Sequence, residues 1–151
     1  MVGRRPVPPN GTRVAVPIPG AGPVILFDGV CVLCAGFVRF VVARDRACAY
    51  RFVAAQSPLG QALLVDLGLS TVDFESNVLI EDGRAHFKSE AFIRVASRLT
   101  WPWRWAGTLR VCPRPLRDAA YDIIAGNRYR LFGRRDSCLV PSPALAARFL
   151  D

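Results

Sequence analysis

The chain has 151 residues, 52% of them hydrophobic and 21% charged, and a net charge of +8 at neutral pH. That is enough apolar material for one domain with its own core, and it excludes a disordered chain. Five cysteines are an odd and sparse set, which excludes a small disulfide-stapled scaffold and fits a reducing compartment with a working thiol pair.

Residues 1–22 hold five of the twelve prolines and show no apolar period, so they read as an extended, poorly ordered Pro/Gly-rich arm. Arg4 and Arg5 resemble a twin-arginine export signal. The run that follows is broken by Pro17, Pro19, Gly20, Gly22 and Pro23 and cannot form the apolar helix that export or spanning requires. The expected location is therefore the cytoplasm, without an anchor.

Val24 to Asp28 reads as the first strand, a continuous apolar run of the kind buried on both faces of a mixed sheet. An Asp28-Gly29 turn follows, then Cys31-Val32-Leu33-Cys34, then a helical pattern from about Cys34 to Arg44. A thiol attacks only as thiolate, and its usual pKa of about 8.5 is lowered at a helix N-terminus. Cys31 would stand at that end, exposed, as the nucleophile. Cys34 shares a helix face with Phe37, Val38 and Val41 and would be the shielded, resolving thiol. The same spacing is half of a zinc site, but no second close Cys or His pair exists: Cys48, Cys112 and Cys138 are single, and His86 is the only histidine. Redox chemistry is the leading reading; a zinc half-site and two packed core thiols are the alternatives.

Tyr50 to Ala55 reads as a second strand, implying a right-handed parallel crossover. Ser57-Pro58 starts a helix that Gly68 closes. Asn77–Glu81 and Arg84–Lys88 flank Asp82-Gly83, a hairpin signal, and Ser89 would cap the next helix through Phe92, Val95 and Leu99. This order of strands and helices is the one a thioredoxin-like α/β fold needs. From about residue 101 a helical extension is expected, with a helix from about Leu116 to Ala125 and a last short one beginning at Pro143 and ending near Leu150.

Several of these segments together resemble a known family. Asp-Gly-x-Cys-x-x-Cys followed by Phe37-Val38-Arg39-Phe40, the Phe52–Ser57 segment, Arg117-Asp118-Ala119-Ala120-Tyr121, Asn127-Arg128-Tyr129-Arg130 and Gly133-Arg134-Arg135-Asp136-Ser137-Cys138 resemble the DCC family of predicted thiol-disulfide oxidoreductases. The likeness runs from about residue 23 to the end. It implies a thioredoxin-like mixed sheet flanked by helices over 23–151. It implies no organic cofactor, the redox-active group being a Cys31–Cys34 disulfide. The partners would be a disulfide-containing protein or small-molecule thiol and a reducing dithiol.

Other residues carry two readings each. Asp28 can accept the proton of Cys34 or cap the Asp-Gly turn. An Asp at the end of an apolar strand also resembles a haloacid-dehalogenase phosphatase, but the second Asp that family needs is Val30 here. Under the resemblance, Cys138 is a third thiol near the site; otherwise it is a small buried hydrophobe. Arg134 and Arg135 can bind an acidic substrate group, favour the Cys31 thiolate or, by default, form a solvated basic turn. Cys48 and Cys112 read as packing residues, and His86 as an ordinary strand histidine. Thioredoxin-like redox proteins usually place a cis-proline before the hairpin, where this chain has Glu75-Ser76-Asn77; Ser76 or Asn77 then faces the site on a trans peptide.

Charge is uneven: residues 94–151 carry eleven arginines and four acids, against nine bases and eight acids in residues 1–93. No nucleic-acid motif accompanies the arginines, and no nucleic-acid partner is expected. Contact with an anionic membrane through Trp101, Trp103 and Trp105 ranks, on charge alone, below a solvated basic face.

Overall fold

The computed structural model describes residues 8–20, 22–47, 49–71, 77–127, 130, 131, 133 and 148–150. Its frame is a six-stranded sheet in the order β1-β5-β4-β2-β3-β6, formed by β1 (Thr12–Arg13), β2 (Val24–Phe27), β3 (Arg51–Ala54), β4 (Val78–Glu81), β5 (Arg84–Phe87) and β6 (Phe149–Leu150). β2 pairs parallel with β3, with Phe27 opposite Ala54, and antiparallel with β4. The α-helices are α1 (Val32–Arg44), α2 (Pro58–Asp66), α3 (Lys88–Ser97) and α4 (Arg114–Gly126), with a 3₁₀ helix at Trp103–Val111. This is the mixed α/β arrangement expected of a thioredoxin-like chain, with the first crossover and the hairpin in the predicted order.

Alternation along the strands fills two cores. On one face Ile25, Phe27, Phe52 and Leu79 meet α1 and α3 through Val38, Val41, Ala91 and Val95. On the other, Val24, Leu26, Val53 and Ile80 meet Leu63 and Leu64 of α2. β2 is buried along its whole length, as a central strand covered on both sides must be.

The described part of the N-terminal arm is extended, as expected, and is tied to the sheet. Thr12–Arg13 adds an edge strand to β5, and Val14, Val16 and Ile18 pack on the α2 side of the sheet. Apolar residues at every second position suit a strand-like strap, and the prolines between them do not prevent it. Ser57 caps α2 as expected, its hydroxyl accepting from the Gly60 N–H at 3.1 Å. Asp82 and Gly83 both take positive φ, 53° and 72°, as the hairpin turn requires.

Ser89 does not cap α3. The N-cap is Phe87, and the Ser89 hydroxyl donates to Asp118 of α4. The sequence end also differs: Phe149–Leu150 is not the end of a helix but a strand, parallel to β3. Arg148 pins it there, with Nη2 2.6 Å from Asp45 Oδ2 and Nε donating to the Tyr50 carbonyl at 3.0 Å. The helix predicted from Pro143 lies outside the described residues. No helix among those described is long and apolar enough to cross a membrane.

Candidate active site

The cysteine pair sits where β2 ends and α1 begins. Cys31 is the N-cap of α1, in extended conformation, and its sulfur accepts the Cys34 N–H at 3.4 Å. The cap arises because the chain turns sharply at Asp28-Gly29-Val30, with the Cys31 N–H returning to the Asp28 carbonyl at 3.3 Å. No acidic residue lies in the first turn of α1, so the positive end of the helix faces the sulfur, with the Asp28 carboxylate in the turn before it.

One sequence expectation is overturned here. Cys31 is not the exposed thiol: its relative exposure is 0%, against 7% for Cys34, and both belong to the core beneath α1. Gly133, from beyond α4, meets the same helix end, its carbonyl accepting the Val32 N–H at 3.5 Å.

Asp28 is buried and organises the turn. Its Oδ1 accepts from the Val30 N–H at 3.1 Å and from Gln56 Nε2 at 2.8 Å, while Gln56 Oε1 accepts from the Gly29 N–H at 3.0 Å. This closed ring binds the end of β2 to the loop after β3. Gln56 escaped the sequence reading; the signal was its place two residues past Ala54, level with the turn in the parallel register.

Tyr121 is a second such residue. From α4 its hydroxyl accepts the Asn77 N–H at 3.1 Å, at the position before β4 where a proline is usual. Tyr121 stood in one of the family-like segments without a role. His86 is a buried strand residue opposite Leu79, as expected. Burial, with Arg94 adding, pushes its pKa below the ordinary 6.5. Cys112 is half-buried at the end of the 3₁₀ helix. Ser76, Cys48, Arg134, Arg135 and Cys138 lie outside the described residues. Among those described, no three His, Cys, Asp or Glu side chains gather as a metal site would need.

A mixed sheet with a Cys-x-x-Cys pair capping the helix after its central strand defines a thioredoxin-like protein built around a dithiol. The comparisons with known proteins narrow that class. Residues 25–134 match the family described as DCC1-like thiol-disulfide oxidoreductase. The chain is 46% identical over 127 residues to the uncharacterized protein YuxK of Bacillus subtilis (strain 168), covering 84% of this chain and 93% of that one. It is 44% identical over 117 residues to DCC family protein At1g52590, chloroplastic, of Arabidopsis thaliana, covering 77% of this chain and 68% of that one. No solved structure matches significantly. The chain belongs to the DCC1-like thiol-disulfide oxidoreductase family.

Proposed function

We propose that the protein exchanges disulfides with a protein or small-thiol substrate through Cys31 and Cys34. The observation that carries this reading is the backbone N–H of Cys34 donating to the sulfur of Cys31 at the α1 N-cap. That bond and the helix end favour the thiolate of Cys31 over its thiol.

The Cys31 thiolate attacks one sulfur of the substrate disulfide. A Cys31–substrate bond forms, the substrate S–S bond breaks, and the departing thiolate takes a proton. Cys34 then attacks Cys31, forming the internal disulfide and releasing the second substrate thiol. Two electrons pass to the substrate, and a cellular dithiol returns them. Because Cys31 is fully buried, exchange requires a local opening that exposes its sulfur. Asp28 holds the turn and is the proposed acceptor of the Cys34 proton. Arg135 and Cys138, which follow Gly133 in sequence, are proposed accessories, as is Ser76, next to Asn77.

Insulin reduction with a dithiol reductant tests the reading. Cys31→Ser is expected to lose activity, and Cys34→Ser to accumulate a Cys31 mixed disulfide visible by mass. Unchanged turnover in Cys31→Ser would sink the proposal.

A further inference from the structure

The 3₁₀ helix and α4 expose apolar side chains that the redox reading does not use. A 3₁₀ helix repeats every three residues, so Trp105, Thr108 and Val111 share an edge. That edge faces outward, with Trp105 62% and Val111 90% exposed, and Trp101 just before it is 74% exposed. Trp103 takes another direction, packing edge-on against Phe40 with ring centres 4.6 Å apart.

In α4 the usual polarity is inverted. Its polar side chains face the protein: Arg117 lies 3.7 Å from Glu90, Asp118 accepts from Ser89, Tyr121 meets the Asn77 N–H, and Asp122 pairs with Lys88 at 2.9 Å. Leu116, Ile123 and Ile124 face solvent. Outward apolar edges need an occupant.

Charge selects which one. Residues 94–151 carry eleven arginines against four acids; Arg94, Arg110 and Arg117 pair with Glu90 and Arg98 with Glu81, while Arg104 and the half-exposed Arg114, 3.5 Å from Asp118, stand beside the apolar edges. A second copy carrying +8 is repelled, and nucleic acid offers nothing for valine, leucine and isoleucine to enter. The interface of an anionic bilayer takes both chemistries at once: tryptophan rings settle at headgroup depth, apolar side chains reach the acyl boundary, and arginines meet lipid phosphates and carboxylates. We propose that Trp101, Trp105, Val111, Leu116, Ile123 and Ile124, flanked by Arg104 and Arg114, dock this protein peripherally on an anionic lipid surface.

All three tryptophans lie between residues 101 and 105, so intrinsic fluorescence reports on this segment alone. The full chain is titrated with vesicles of phosphatidylcholine containing phosphatidylserine, and with phosphatidylcholine alone, at low and high salt. The expected result is a blue shift and co-sedimentation with the anionic vesicles, weakening as salt rises. Trp101→Ser/Trp105→Ser and, separately, Ile123→Gln/Ile124→Gln should each weaken binding about tenfold with an unchanged thermal midpoint. Cys31→Ser/Cys34→Ser should bind like the parent, since docking does not depend on the thiols. The proposal is overturned if anionic vesicles are not bound at low salt, or if both apolar variants bind like the parent. It is equally overturned if sedimentation velocity shows a dimer that the apolar variants dissociate.

Discussion

Asp28 and Gln56 lock each other and the Gly29 and Val30 amides in one ring of hydrogen bonds. Its geometry and its charge are separable. Asp28→Asn keeps an oxygen for the Val30 N–H and for Gln56, so the fold should retain its stability; a proton-accepting role would appear as a slower exchange rate at neutral pH. Asp28→Ala strands both donors and should cost about 1–3 kcal/mol as well; chemical denaturation and the pH profile of exchange separate the two effects. His86 gives a pH signature of its own. Burial holds its folded pKa below the ordinary 6.5, so the fold favours the neutral ring. Its contribution is full above the unfolded value and is lost as pH falls from there toward the lower folded value. Denaturation midpoints should therefore decline below about pH 6.5, and His86→Gln should flatten that decline.

At the scale of elements, α2 is set by one missing side chain. A Cβ on Gly60 would collide with the Ala54 carbonyl and its neighbours at the end of β3. Gly60→Ala should thus lower stability by about 1–3 kcal/mol through overpacking, despite alanine's better helix propensity, as measured by urea unfolding. Much at this scale was legible: the apolar run at Val24, Ser57-Pro58 and Asp82-Gly83 each carry a local cause that tertiary packing did not overrule. Elements made by distant partners were not legible. Thr12–Arg13 and Phe149–Leu150 are two-residue strands, too short for any period to show. Their places are set by pairing with β5 and β3. Ser89 has the right residue type for a cap but is drawn instead to Asp118, 29 positions on.

Over the whole molecule, the central strand delivers the two cysteines to one helix end, where Gly133 from beyond α4 also meets Val32. The pair and its strand–turn–helix setting were readable because they are contiguous in sequence. The burial of Cys31 was not, because the core it joins is assembled from Phe52, Leu79 and Val95, distant in sequence. Gln56 was hidden for the same reason, since only the β2–β3 register brings it beside Asp28. The basic half was visible as composition, whereas the outward turn of Ile123 follows from α4 setting its polar face against α3. A glutathione redox titration of the purified protein, with alkylation and mass analysis, tests the central claim most directly. A reversible Cys31–Cys34 disulfide is expected, with a potential in the range of known exchange proteins, about −120 to −270 mV. A pair that never bonds under oxidising glutathione, or that stays blocked by a bound metal ion, would contradict the redox account.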